Sequence, residues 1–165
     1  MIWEISGYDC PNYSRTGMIV LSGTDRANAF FNGLRGKRVA VCGIGKNNIP
    51  VIFKLLEHGV YVTARDRHTR LQLGDTADSL ISAGASLCLG DGYLDTLGND
   101  GEHLILRTPG MRPDLPQFTA ARRRGITVTS ETELFFSLCP AHITGVTGSD
   151  GKTTTATIIA GLLEA

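Results

Sequence analysis

The stretch Lys37-Arg38-Val39-Ala40-Val41-Cys42-Gly43-Ile44-Gly45-Lys46-Asn47-Asn48 decides how the rest of the chain is read. Its first half is a short apolar run with valines at alternate positions, the pattern of a buried strand. Its second half opens with a Gly-x-Gly turn. A helical pattern follows from Ile49 to His58, with Ile52, Leu55 and Leu56 on one stripe, Pro50 in the first turn and Gly59 as the stop. A second apolar run, Val60 to Ala64, ends in Arg65-Asp66. Strand, Gly-x-Gly, helix, strand and acid in this order form the opening unit of a Rossmann-like α/β domain.

Upstream, Ala27, Phe30, Phe31 and Leu34 mark one face of a helix that starts at Thr24 and is ended by Gly33 and Gly36. Residues 1–22 show no period and are expected to be an irregular extension, with Met18 an alternative start. Downstream, the pattern keeps alternating. It predicts a helix over Thr76–Ala83, a strand over Ser86–Leu89, a short helix over Tyr93–Leu97 and a buried strand over His103–Arg107, closed by Thr108-Pro109-Gly110. Next come a helix capped by Asp114, with Pro116 early in it and Leu115 and Phe118 inward, a strand over Ile126–Thr129 and a helix over Glu131–Leu138. Such alternation predicts a parallel sheet with helices on both faces. The expected division is an extension at 1–22, a Rossmann-like domain at 23–139 and the start of a second domain at 140–165, with Cys139-Pro140 as the boundary.

That second piece contains Thr147-Gly148-Ser149-Asp150-Gly151-Lys152-Thr153-Thr154. An apolar run from Ala141 to Val146 precedes it, and a helical pattern from Thr155 to Leu163 follows. A strand, a Gly-rich turn and a helix opening on Gly-Lys-Thr make a phosphate-binding loop. Lys152 would reach the terminal phosphates and the Thr153 hydroxyl would ligate Mg²⁺. In the full G-x-x-x-x-G-K-[ST] pattern the first glycine falls on Val146, so the loop is offset; Gly145 and Gly148 flank that place. The loop lies near the end of this sequence, where a nucleotide-hydrolysing domain would begin.

Bulk properties set limits. The 165 residues carry 16 basic and 16 acidic side chains, a formal net charge of zero, which gives no polybasic footprint for nucleic acid or an anionic membrane. No apolar run approaches the ~18 residues of a membrane span, and Met1-Ile2-Trp3-Glu4 does not open like a secretion signal. Cys10, Cys42, Cys88 and Cys139 form no C-x-x-C pair. They are expected to be separate thiols in a reducing cytoplasm rather than a metal site or disulfides.

Each candidate site has a plainer reading. The Gly43-Ile44-Gly45-Lys46 turn can hold a phosphorylated ligand, can hold NAD or FAD, or can be a tight turn with no ligand. Asn48 in place of the third glycine of G-x-G-x-x-G argues against an ordinary dinucleotide. Asp66 can accept from a ribose, or can cap the turn after its strand; Arg67 and His68 beside it could meet an anionic or uracil-bearing ligand. His142 in its apolar run is expected to pack rather than to catalyse. Arg122, Arg123 and Arg124 read as a solvated face, and Glu131 and Glu133 as acids complementing a helix start.

Together these motifs resemble the Mur ligases of peptidoglycan synthesis, and most nearly the branch that adds D-glutamate to UDP-N-acetylmuramoyl-L-alanine. The resemblance is carried by Gly43-Ile44-Gly45, Arg65-Asp66-Arg67, Leu89-Gly90, Thr108-Pro109-Gly110-Met111 and the loop from Thr147 to Thr154, and covers about residues 24–165. It implies a UDP-substrate site at Gly43, Ile44, Gly45, Lys46, Asp66, Arg67 and Gly90. It also implies an ATP phosphate site at Gly148, Ser149, Asp150, Gly151, Lys152, Thr153 and Thr154, with Thr153 on Mg²⁺. Such ligases use ATP and Mg²⁺ to phosphorylate the substrate carboxylate, which an amino acid amine then attacks. Asp150 stands where the family usually has Asn, and Asn47-Asn48 where it usually has Ser-Gly. The remaining catalytic groups come later in the family, so an N-terminal fragment, inactive alone, is the expectation, whether a clone or a truncated gene product. The rivals are a stand-alone Rossmann nucleotide-binding module and an oligomer-forming or regulatory remnant. The apolar stripe Ile158, Ile159, Leu162 and Leu163 would leave the last helix to dock, dimerise or fray.

Overall fold

The computed structural model describes residues 2–4, 23–141 and 143–164. In chain order the elements are β1 (Ile2–Glu4), α1 (Gly23–Gly33), β2 (Arg38–Cys42), α2 (Asn48–Glu57), β3 (Tyr61–Asp66), α3 (Arg70–Leu73), α4 (Asp75–Ser82) and β4 (Ser86–Leu89). They continue with β5 (Glu102–Arg107), α5 (Pro116–Arg123), β6 (Thr127–Ser130), α6 (Glu131–Leu138), β7 (Thr144–Val146) and α7 (Lys152–Glu164). Contacts divide the chain into a unit of residues 22–138 and a second unit that joins the start of the chain to residues from Cys139 onward.

The larger unit is a five-stranded sheet of order β4-β3-β2-β5-β6, with every pair parallel. Alternation along the strands sends side chains to two cores. Val39, Val41, Leu104 and Leu106 face one, together with Ile52 and Leu55 of α2, Leu80 of α4 and Leu134 of α6. Ala40, Cys42 and Ile105 face the other, with Phe118 and Ala121 of α5 and with Leu94 and Leu97. This is the Rossmann-like parallel sheet with helices on both faces that the alternation predicts. The strand order reverses direction between β2 and β5, so the crevice beyond their carboxyl ends is where such a sheet places a ligand.

Several local expectations change. Residues 93–97 are successive turns, not a helix. Gly92 and Gly98 on either side have φ of 76° and 81°, and the amides of Asp95 and Leu97 bond three residues back. A buried cation binds this segment where a helix would otherwise pack. Arg65 donates to the Tyr93 carbonyl (3.0 Å), Thr96 Oγ1 (2.9 Å), Asp100 (3.2 Å) and Glu102 (3.4 Å). Glu102 in turn accepts from the amides of Gly98 and Asp100. Asp114 caps nothing; it pairs with Arg112 at 2.6 and 3.0 Å, and α5 starts with proline directly after Leu115. An additional short helix, α3, opens on a capping box between Thr69 and Gln72.

In the smaller unit, residues 2–4, expected to be irregular, form β1, which pairs antiparallel with β7 (Ile2↔Val146). The rest of the 1–22 extension, including Cys10 and Met18, lies outside the described residues, as does His142. Strand β7 is shorter than the Ala141–Val146 run, and α7 begins at Lys152 rather than at Thr155. Among the described residues no helix is long and apolar enough to cross a membrane.

Arg65→Ala leaves the buried Glu102 without its cation. The expected cost is about 3–5 kcal/mol, read as a lowered urea midpoint. A loss below about 1 kcal/mol would mean that the turn segment holds itself on the sheet.

Candidate functional site at the carboxyl edge of the sheet

The ends of the parallel strands stand in register. Cys88, Arg65, Cys42, Arg107 and Ser130 form one row across the sheet, and the loops above it carry the predicted substrate residues. Burial pushes the Cys42 thiol up to about 12, so it packs as an apolar group and offers no nucleophile.

Gly43 leaves β2 with φ of 99°, and a Cβ placed there would lie 3.0 Å from Thr108 Cγ2. Glycine is thus required twice, for the backbone angle and for the close approach of the Thr108-Pro109-Gly110 turn. The Gly43 amide bonds the Arg65 carbonyl at 2.7 Å, and the Thr108 amide bonds the Cys42 carbonyl at 2.9 Å. These bonds bring the turn after β2, the end of β3 and the turn after β5 together at the switch point.

Asp66 is turned inward, with its side chain 10% exposed. Its Oδ2 accepts the Ile44 amide at 2.6 Å; its Oδ1 accepts the His68 amide at 2.9 Å and meets His68 Nδ1 at 2.7 Å. Burial alone would raise its pKa, but the amides of His68 and Ile44 and the His68 ring outweigh that and hold the carboxyl below its ordinary value. The Gly90 amide bonds the Asp66 carbonyl at 2.9 Å. The geometry therefore gives Asp66 the turn-capping arrangement, while Gly45, Lys46 and Arg67 stand exposed around it.

The far wall joins Asn47, Asn48, Glu131 and Glu133, which the sequence gives other roles, to Arg107 and Ser130, which it does not single out. Asn48, buried at the start of α2, donates Nδ2 to the Gly43 carbonyl at 2.8 Å, and its Oδ1 has no partner. Asn47 reaches Glu131 Oε1 at 3.1 Å. Arg107, 9% exposed, bridges Glu133 at 3.0 Å and the Met111 carbonyl at 3.1 Å. Glu133 also accepts from Thr129 and from the Ser130 amide, and its own amide reaches Ser130 Oγ. The Ser130-x-x-Glu133 spacing is the signal that could have found this capping box. Burial favours the neutral acid at Glu133, but these donors and Arg107 hold its pKa below the ordinary value. Glu131 and Glu133 thus carry more than dipole complementation.

In the second unit the loop from 147 to 151 is exposed. Gly151 has φ of 73°. Lys152 folds back over the loop, with Nζ 2.5 Å from the Gly148 carbonyl and 2.9 Å from that of Ser149. Its partners are carbonyls rather than the Asp150 carboxylate, so its charge is not neutralised. The Thr155 amide bonds the Gly151 carbonyl, and the amides before it begin the helix without intrahelical partners. An ammonium, helix-start amides and the Thr153 hydroxyl are a donor set suited to a phosphate chain and a hard cation. Among the described residues no group of three or more His, Cys, Asp or Glu could hold a metal ion.

The chain is similar to the UDP-N-acetylmuramoylalanine–D-glutamate ligase of Ruminiclostridium cellulolyticum, with 47% identity over 135 residues, 82% of this chain and 29% of that protein. It is 45% identical over 139 residues to the enzyme of the same name from Acetivibrio thermocellus (84% and 29%) and 46% identical over 136 residues to that of Clostridium novyi (82% and 29%). The chain thus resembles the N-terminal portion of D-glutamate-adding Mur ligases and spans less than a third of the length of the relatives it matches. No family model matches it. Among solved structures, a shikimate 5-dehydrogenase of Mycobacterium fortuitum superposes with a TM-score of 0.44 at 13% identity, over 70% of this chain and 52% of that one. Glutamyl-tRNA reductase of Methanopyrus kandleri gives 0.45 at 17%, over 76% and 39%. The fold assignment rests on the sheet order instead.

The Asp66 cap has a signed dependence on pH. Its carboxyl ionises more readily folded than unfolded, so the stabilisation is complete above the unfolded value, about 3.9, and is lost as pH falls through the lower folded value. The stability gap between the wild type and Asp66→Asn should therefore be widest near neutrality and shrink below about pH 4, as followed by urea unfolding. An equal gap at pH 7 and at pH 2.5 would show that the carboxylate's charge is irrelevant.

Proposed function

We propose that residues 23–139 form the domain that holds the UDP end of UDP-N-acetylmuramoyl-L-alanine, and that residues 140–165 begin the ATP-binding domain of a cytoplasmic D-glutamate-adding ligase. The observation that carries this reading is the convergence of Gly43–Lys46, Asp66–Arg67, Gly90 and the Thr108-Pro109-Gly110 turn at the switch point. The stretch in which they lie is 45–47% identical to enzymes named for that substrate.

Gly43 and Thr108 set the floor of the crevice. Lys46 and Arg67 supply positive charge at its rim, and Gly90, with φ of 81°, leaves room beside Asp66. In the second unit Lys152 would exchange its two carbonyls for phosphate oxygens. The amides of Gly148–Lys152 would surround those phosphates, and Thr153 with Thr154 would orient the chain, Thr153 giving its hydroxyl to Mg²⁺. When bound, ATP with Mg²⁺ would supply the phosphoryl group that activates the substrate carboxylate for attack by the amine of D-glutamate. The protein's part in that chemistry is positioning and charge stabilisation.

Calorimetry on the chain tests the assignment. UDP-N-acetylmuramoyl-L-alanine is expected to bind with a Kd on the order of micromolar, about −8 kcal/mol, and NAD much more weakly. Lys152→Ala should leave the UDP ligand's affinity unchanged and reduce ATP binding by about tenfold or more, the loss of one charge-assisted contact. Tight NAD binding without any response to the UDP ligand would overturn the assignment in favour of a dinucleotide-binding module.

A further inference from the structure

The amino end of the sheet carries a polar cavity of its own, at the far end of the strands from the glycine-rich turn. Arg38 opens β2 beside Tyr61 of β3, and Thr63 of β3 stands beside Ser86 of β4. Register partners and residues two apart share a sheet face, so these four side chains lie on one face. Ala40, Cys42 and Arg65 continue that face along the same strands and are buried. There it is covered by the turns after β4, which bond Arg65. At the amino half the face stays open: Tyr61 is 67% exposed, and Arg38 and Ser86 are exposed. The four side chains, with Val62 and Gly84, line a cavity of about 260 Å³. Among the described residues no acid lines it, and none of the four side chains has a hydrogen-bond or ion-pair partner.

We propose that this cavity is a binding site for a small organic phosphate, with the phosphate between Arg38 and the hydroxyls of Thr63 and Ser86 and the organic part against the Tyr61 ring. The sign of the ligand follows from the lining, one guanidinium and no carboxylate. Its shape follows from the sheet. Strand β3 separates Arg38 from Ser86, so donors face the cavity from two sides, about 10 Å apart at the backbone. A planar carboxylate is satisfied by the arginine fork alone. A tetrahedral phosphate, with three acceptor oxygens, also reaches the hydroxyls on the other side. Its size follows from the volume, which falls below the ~300 Å³ lower end of drug-sized ligand sites, room for one phosphate on a small ring and not for a dinucleotide. The cavity lies about 13 Å along the strands from the carboxyl edge, and the inference stands apart from the UDP-substrate reading of that edge.

Amide NMR spectra of the chain, recorded at constant ionic strength during separate titrations with phenyl phosphate, inorganic phosphate and benzoate, test the site. Phenyl phosphate should shift the amides of Arg38, Tyr61, Thr63 and Ser86 saturably, with a Kd on the order of 1 mM. Inorganic phosphate, without a ring to meet Tyr61, should shift the same amides with a several-fold higher Kd, and benzoate should bind more weakly than phenyl phosphate. Arg38→Gln should weaken phenyl phosphate about tenfold, the loss of one charge-assisted contact, with the urea midpoint unchanged because the side chain is exposed and unpaired. Tyr61→Ala should bring phenyl phosphate to the affinity of inorganic phosphate. Phosphate held by the 148–153 loop is read separately on that loop's own amides, which Arg38→Gln should leave as they are. Shifts at residues 38–86 that do not saturate, an unchanged affinity in Arg38→Gln, or phenyl phosphate binding no more tightly than benzoate or inorganic phosphate would overturn the inference.

Discussion

The carboxyl edge of the sheet depends on one buried hydrogen bond, from the Ile44 amide to the Asp66 carboxylate. It ties the first residue that leaves the central strand to the last residue of its neighbour. A carboxylate taken out of water is costly unless donors replace the solvent, and here two amides and an imidazole do so. The net effect is an acid held below its ordinary pKa despite its burial. These bonds tie the end of β3 to the turn. Its shape then governs what packs on it, because Thr108 sits against Gly43 with no room for a side chain.

A second constraint explains why the sheet edge can be built without a full set of helices. Arg65 lies between the two cysteine-bearing strands, 1% exposed, and its guanidinium gathers a run of turns onto a face that a helix would normally cover. Planar, multidentate hydrogen bonding suits arginine to this role. It also divides the work at the end of β3. The side chain of Arg65 faces the interior and organises structure, whereas the adjacent Asp66 and Arg67 belong to the loop side.

Most of this fold was legible because it is written in local periodicity. The central strands, α2, α4 and α6, and the Gly-x-Gly turn lie where valines, leucines and glycines place them. Residues 93–97 misled because Tyr93, Leu94 and Leu97 have helical spacing, while the positive φ of the flanking glycines is a backbone property that the pattern does not register. Asp114 misled because a bidentate partner two residues away competes with capping. The site was legible as a set of residues but not as a set of bonds. That Asp66 would take the Ile44 amide, that Asn47 would reach Glu131 and that Arg107 would bridge to Glu133 are long-range facts, created only when parallel strands bring residues 22 to 84 positions apart side by side.

The two glycine-rich loops of the chain follow opposite logic. At residues 148–153 the cation rests on neutral carbonyls, which a phosphate can replace at little electrostatic cost, and the helix-start amides lack competing acceptors. At residues 43–48 a carboxylate of the chain takes the Ile44 amide, a carboxamide takes the Gly43 carbonyl, and Lys46 stands exposed. The glycine pattern is similar in the two loops, so glycine alone does not specify a phosphate cradle. What separates them is the charged residue that each loop holds, a lysine on backbone carbonyls in one and an aspartate on a backbone amide in the other. Reading that residue is the step that turns a glycine-rich motif into a statement about ligand charge.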